Sequence, residues 1–117
     1  MQCTPSKEIS NFLYKFKFFA QNSACFSFVI RKKNLQDIMD LGITYEQSIE
    51  IIKELTYKNY VSGPQKDKDY PDKDVWVFGC QINEHETYIK LSGDFSCKVA
   101  KCISFHKSEH SLKYPYK

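Results

Sequence analysis

Three short runs of β-branched and aromatic residues constrain the fold of this chain more than any other feature. They span Val75 to Ile82, Thr87 to Leu91 and Lys98 to His106. Turn-forming residues separate them, at Asn83 to Glu86 and at Ser92 to Asp94. Short runs of this composition between turns are typical of β-strands. The sequence therefore predicts a three-stranded antiparallel meander.

Because successive side chains of a strand point to opposite faces, each run can be sorted by parity. One parity predicts a core face made of Trp76, Phe78, Cys80, Ile82, Thr87, Ile89, Leu91, Val99, Ile103 and Phe105. The other parity collects Tyr88, Lys90, Cys102, Ser104 and His106. A phenol, an amine, a hydroxyl and an imidazole should thus share the face that packing does not need. Lys101 has the same parity as the predicted core residues. It fits this prediction only if strand twist or an edge position exposes its side chain to water.

The N-terminal half has helical periodicity instead. Apolar residues recur at intervals of three and four from Ile9 to Ala20, after a cap at Thr4 or Ser6. A candidate edge strand follows at residues 25–30. Because the helices precede the sheet, they should pack on its apolar face. The predicted class is α+β, with N-terminal helices on a small antiparallel sheet, as one domain over residues 1–117.

Two further helices are predicted between the edge strand and the meander. Asn34 should cap the first, with Leu35, Ile38, Met39 and Leu41 facing inward and Gly42 at its C-terminal end. Residues 44–47 form a capping box that opens the second, and Thr56 is placed to cap one more turn. Val61 to Asp74 is predicted to be a long irregular loop, either a functional lid or a mobile surface segment.

Charge and cysteine content give only weak evidence about the function. The net charge is +3, and lysines concentrate in two regions, residues 66–73 and 98–117. They are either a solvated surface or a basic groove for a nucleic-acid backbone. Five cysteines at irregular spacing favour reduced thiols over a disulfide framework. No apolar run is long enough for a membrane span or a signal peptide, so a cytoplasmic location without membrane association is expected.

The sequence does not match the common motifs for binding a metal ion or a nucleotide. Cys97, Cys102, His106 and His110 resemble a zinc set, but Cys102 and His106 would lie roughly 13 Å apart along one strand. The aspartates of residues 67–74 do not follow the ligand register of a calcium loop. Glycine-rich phosphate loops and the common hydrolase motifs are missing from the sequence as well. We expect neither a metal nor a cofactor.

Five short motifs follow one another from about Leu35 to the C-terminus. They are Leu41-Gly42 before a capped helix, Leu55-Thr56 with Tyr60, Asp74-Val75-Trp76, Thr87-Tyr88-Ile89-Lys90-Leu91, and Ile103-Ser104-Phe105-His106. Their order and spacing resemble those of the motility quorum-sensing regulator (MqsR) toxins, in the RelE-like group of bacterial toxin–antitoxin systems. The resemblance implies a RelE-like fold and metal-independent endoribonuclease cleavage of mRNA. It also implies a cognate antitoxin as partner, of the helix-turn-helix or zinc-finger type.

The resemblance also implies site residues. Tyr88 matches a family tyrosine implicated in cleavage, and His106 stands where the family has an implicated lysine. Two other family positions differ here, because Val77 replaces a glutamine and Ser62 replaces a lysine. A non-catalytic module that binds RNA or protein, derived from such a toxin, is therefore the alternative function.

The residues present allow a mechanism to be predicted. His106 exchanges a proton near neutral pH, provisionally as the acid, while Lys90 stabilises the transition state. Tyr88 would hydrogen-bond the phosphate or act as a partner base, and Glu109 and Ser104 are candidates for orienting groups. Candidate contacts to the RNA backbone are Lys66, Lys68, Lys101 and Lys107. Tyr60 or Trp76 could stack on bases, although the parity of Trp76 favours the core.

Overall fold

The computed structural model describes residues 4–22, 24–28, 32–66 and 74–117. Within these ranges the helices are α1 (Ser6–Ala20), α2 (Lys32–Asp40) and α3 (Tyr45–Glu54), with short 3-10 helices at Tyr57–Asn59 and Phe95–Cys97. The strands are β1 (Phe26–Phe28), β2 (Tyr60–Lys66), β3 (Asp74–Ile82), β4 (His85–Asp94) and β5 (Val99–Lys107). None of the described helices combines the length and the apolar character that crossing a bilayer requires.

The strands form one sheet in the order β1-β5-β4-β3-β2. The meander β3-β4-β5 is antiparallel, and β1 lies parallel to β5 at one edge. This confirms the predicted α+β class, the meander and the edge strand. The sheet is larger than predicted, because Val61 to Lys66, the first part of the predicted irregular loop from Val61 to Asp74, belongs to β2 and pairs with β3. Pairing with β3 and the burial of Tyr60 overrode the turn-forming composition of this segment. Residues 67–73 of the predicted loop lie outside the described residues.

The first turn of the meander lies within the predicted residues, whereas the second lies later in the chain than predicted. Asn83 and Glu84 both have positive φ, at 45° and 71°, as in the two-residue turns that suit the twist of a hairpin. The second turn lies later than predicted, at the 3-10 helix followed by the left-handed Lys98. Gly93 belongs to β4, where it pairs with Ala100, and a Cβ there would lie 2.4 Å from two ring atoms of Phe95.

A β-bulge in β5 changes which side chains reach the core. Lys90 pairs with Ser104, whereas Leu91 pairs with Cys102, so Ile103 is the extra residue. Before the bulge, the side chains of Ala100 and Cys102 face the helices. After the bulge, the side chain of Phe105 does so. The prediction that placed Val99 and Ile103 in the core and Cys102 on the polar face was wrong. The same bulge puts Lys101 on the exposed side, which removes the misfit seen in the sequence.

The core lies between α1 and one face of the sheet. Phe12 stacks on Trp76 with 4.6 Å between ring centroids, and Tyr60 packs against the same indole. Trp76 and Tyr60 are 7% and 4% exposed, so neither is placed to stack on an RNA base. In α2, Ile38 and Leu41 are buried as predicted, but Leu35 and Met39 are exposed. That helix also begins at Lys32 rather than after Asn34.

The predicted capping box at the start of α3 is present and gives a first test. Thr44 Oγ1 accepts from the Gln47 backbone N–H at 3.1 Å, and Gln47 Oε1 accepts from the Thr44 N–H at 2.8 Å. Thr44→Ala removes the side-chain cap and should lower the free energy of unfolding by about 1 kcal/mol. Urea denaturation measures this loss. Thr44→Ser keeps the hydroxyl and serves as the control, and an equal loss in both variants would contradict the capping role.

Candidate functional site

The face of the sheet that points away from α1 brings the predicted polar residues together. Tyr88 pairs directly with His106 across β4 and β5, and Lys90 pairs with Ser104. The rings of Tyr88 and His106 are stacked, with centroids 5.1 Å apart and an interplanar angle of 16°. All four side chains are half-buried. The phenol, amine, hydroxyl and imidazole therefore converge, and their roles stay predictions.

One ring nitrogen of His106 is held by the backbone. Its Nδ1 lies 2.7 Å from the carbonyl oxygen of Lys107. A carbonyl oxygen only accepts, so Nδ1 carries a hydrogen and donates. In the neutral ring, Nε2 is then the acceptor nitrogen. The imidazole is thus in contact with the Tyr88 ring and the Lys107 carbonyl, whereas the sequence named Glu109 and Ser104 as candidates for orienting groups.

Carboxylates lie on the α2 side of His106. Asp37, Asp40 and Glu109 line a cavity of about 150 Å³ together with His106 and Lys107. Among the described residues, Asp37 Oδ2 is a buried oxygen without a hydrogen-bond partner. The sequence analysis missed the two aspartates, although their spacing of three places them on one face of α2. This side of the candidate site is therefore rich in carboxylates, whereas Lys90 places an amine on the other side.

The four lysines predicted to contact RNA have different positions. Lys101 is exposed and pairs with Ser92, on the same face of the sheet as Lys90. Lys107 is exposed beside His106 at the α2 cavity. Lys66 lies on the opposite edge strand, where its Nζ is 2.9 Å from a carboxylate oxygen of Asp74. Lys68 lies outside the described residues. Of the three described, Lys101 is best placed for a backbone contact.

The two positions that depart from the MqsR pattern lie in the same part of the sheet. Ser62 pairs with Val77, Val77 with Lys90, and Lys90 with Ser104, which forms one row across four strands. Val77 is 2% exposed and offers no polar group. In this row Lys90 supplies a positive charge, next to the Tyr88 and His106 pair.

Cys102 and His106, two of the four residues that resembled a zinc site in the sequence, lie on opposite faces of the sheet. Cys102 is fully buried on the helix side, and burial raises the pKa of its thiol. His106 lies on the other face. Within the described ranges, no cluster of three or more His, Cys, Asp or Glu side chains is arranged to hold a metal ion.

The C-terminal segment, residues 108–117, adds a feature that the sequence analysis did not anticipate. The side chain of Glu86 accepts from the Leu112 N–H at 2.7 Å and from the Tyr114 hydroxyl at 3.2 Å. The backbone oxygen of Glu86 accepts from the Ser108 N–H at 2.8 Å. Burial, with a smaller effect of Glu86, raises the pKa of Tyr114 to about 12, so the phenol stays a donor. Glu86 thereby fixes the segment beside Tyr88.

The segment also covers part of the polar face. A Cβ at Gly79 would lie 2.5 Å from Leu112 Cδ1 and 2.6 Å from Tyr114 Oη. Gly79 is the cross-strand partner of Tyr88. The absence of a side chain at position 79 thus allows the segment to approach the sheet next to the candidate site.

Comparison with known protein families gives a match over most of the chain. Residues 13–107 match the family model described as "Motility quorum-sensing regulator, toxin of MqsA". The matched range contains Tyr88, Lys90, Ser104 and His106, and it ends before the C-terminal segment. No curated individual protein matches the chain.

Proposed function

This chain belongs to the motility quorum-sensing regulator toxin family, and from that premise we propose that it is a metal-independent endoribonuclease that cleaves mRNA. Membership makes it the toxin of a toxin–antitoxin pair. The proposed partners are mRNA in the cytoplasm and an antitoxin protein related to MqsA, of the helix-turn-helix or zinc-finger type. The observation that carries the nuclease proposal is the stacked Tyr88 and His106 pair beside Lys90.

These three groups match what RNA cleavage requires without a metal ion. The ribose 2′-oxygen attacks the adjacent phosphorus and loses its proton to solvent, while the bond from phosphorus to the 5′-oxygen breaks. Protonated His106 gives its Nε2 proton to that leaving oxygen, because Nδ1 is held by the Lys107 carbonyl. The ammonium of Lys90 and the hydroxyl of Tyr88 stabilise the charge on the phosphoryl oxygens.

The second candidate function is a non-catalytic module that binds RNA or protein. Val77 favours it, because a buried valine stands where the family pattern has a polar glutamine. Ser62, in the same row, leaves a further position of the pattern without a cation. Lys90 compensates in the proposed enzyme, since it lies in this row and next to the imidazole.

Cleavage in the presence of a chelator tests the proposed function. Purified protein without antitoxin, incubated with a long mRNA in EDTA, should cut the RNA at the same rate as without EDTA. The reason is that a side chain, rather than a metal-bound water, moves the proton. Gel analysis of the fragments and their 2′,3′-cyclic phosphate ends gives the readout. Intact RNA with folded protein that still binds RNA would favour the non-catalytic module instead.

A further inference from the structure

A second cavity lies next to the candidate site, between the C-terminal segment and the 3-10 helix Tyr57–Asn59. It has a volume of about 290 Å³, and its lining includes Lys58, Asn59, Gln81, Glu86, Tyr114 and Lys117. That volume is at the small end of the range for ligand sites, so it suits a single nucleotide rather than a larger molecule.

The position of this cavity ties it to the candidate site. Gly79 forms part of its wall and pairs directly with Tyr88. Glu86 also lines it and lies two residues before Tyr88 on β4, on the same face and about 7 Å away along the strand. A single-stranded RNA lying over Tyr88 and Lys90 would therefore place a neighbouring nucleotide in the cavity.

The side chains in the cavity have the chemistry that single-stranded RNA requires. The ring of Tyr114 is held by its hydroxyl on Glu86. The Lys117 ammonium lies over this ring, 5.4 Å from its centroid, and would move to a phosphate when a base stacks in its place. A fixed aromatic ring is a platform for a base, and lysines bind the phosphates on either side. Lys58 supplies a second cation from the opposite wall.

Two amides lie in the cavity, and only one of them is available to a ligand. Asn59 donates from Nδ2 to the Gly79 carbonyl at 2.9 Å and accepts at Oδ1 from the Thr56 N–H at 2.9 Å. Gln81 is exposed and lines the cavity, and its side-chain amide carries both a donor and an acceptor. Gln81 is thus the group that can hydrogen-bond the edge of a stacked base.

We propose that this cavity binds one nucleotide of the RNA substrate, adjacent to the phosphodiester that is cut. The base stacks on Tyr114, Gln81 hydrogen-bonds its edge, and Lys58 and Lys117 bind the flanking phosphates. The inference rests on the proposed function in that it takes RNA as the ligand. It assigns a substrate-binding role to Tyr114 and Lys117, which lie beyond the family match.

Binding of an RNA that cannot be cut tests the nucleotide site separately from catalysis. The probe is a fluorescent single-stranded RNA with 2′-O-methyl groups throughout, because blocked 2′-oxygens cannot attack phosphorus. Tyr114→Ala should weaken its binding by about 5- to 100-fold, the range for losing one stacking platform. Tyr14→Ala is the matched control, since Tyr14 is a 74% exposed tyrosine on α1 and should leave affinity unchanged. Tyr114→Phe keeps the ring and should retain most of the affinity.

The outcomes separate this inference from the nuclease proposal. Unchanged binding by folded Tyr114→Ala and by Gln81→Ala would overturn the nucleotide site, whether or not the wild type cuts RNA. Weaker binding by Tyr114→Ala, with a wild type that never cuts, would support the site and refute the nuclease. Unchanged RNA binding with loss of antitoxin binding would overturn the site in favour of a protein-docking cavity. Circular dichroism of each variant confirms that it is folded.

Discussion

His106→Ala should lower the rate of RNA cleavage by about 10²- to 10⁴-fold, the usual contribution of one positioned acid or base. In the proposed mechanism, the Nδ1 bond to the Lys107 carbonyl and the stacking on Tyr88 leave Nε2 to act as the proton donor. Alanine has no group that can donate to the leaving oxygen. Single-turnover cleavage of a defined RNA, with protein in excess, measures the chemical step without product release.

Two further variants test whether the loss of cleavage is specific to the His106 side chain. His110→Ala removes an exposed histidine that lines neither the cavity beside His106 nor the cavity beside Tyr114, and it should cleave at the wild-type rate. Tyr88→Phe keeps the stacked ring and removes only the hydroxyl, so it separates positioning of the imidazole from hydrogen bonding to phosphate. Equal rates for the wild type and a folded His106→Ala would refute the assignment of His106 as the acid.

Local patterns predicted the central part of the fold well. Alternation along β3 and β4 and a turn that begins at Asn83 depend on near neighbours in sequence, and both features are present. The turn is shorter than the predicted Asn83 to Glu86, because β4 already begins at His85. The capping box at Thr44 is local in the same sense. By contrast, β2 forms because β3 pairs with it, which the composition around Gly63 and Pro64 did not indicate.

The bulge at Ile103 shows why parity alone misplaced part of β5. Counting by twos assumes that the register advances evenly on both strands, but β5 advances by two residues, from Ser104 to Cys102, while β4 advances by one, from Lys90 to Leu91. The sequence held one signal of this, because Lys101 fell on the apolar parity. Reading that lysine as evidence for a shift would have moved Cys102 to the core while leaving His106 on the polar face.

The parts of the candidate site that escaped prediction come from distant segments of the chain. Asp37 reaches the cavity beside His106 from α2, and Tyr114 reaches Glu86 from 28 residues further along. No period or spacing rule relates such pairs. The motifs of the family resemblance did not indicate Tyr114 either, because the last of them ends at His106.

Phe105→Ala should have the largest effect on stability of the variants considered. Phe105 is fully buried, pairs with the fully buried Ile89, and lies between Ser104 and His106 in β5. Truncating a buried phenylalanine costs about 3–5 kcal/mol, through lost burial and the cavity that remains. That is a large part of the roughly 5–15 kcal/mol that stabilises a typical domain. Urea denaturation should show the loss, and cleavage activity should fall with the folded fraction.

Ile103→Ala is the matched control, because it tests the bulge at the same time. Uniform alternation would bury Ile103 and Phe105 equally, and both truncations would then cost several kcal/mol. In the bulged strand Ile103 is only half-buried, so its truncation should cost about 1 kcal/mol. Comparable losses in the two variants would contradict the bulge, and with it the placement of Cys102 in the core. A much smaller loss for Ile103→Ala would show that Phe105 anchors the strand end on which His106 faces outward.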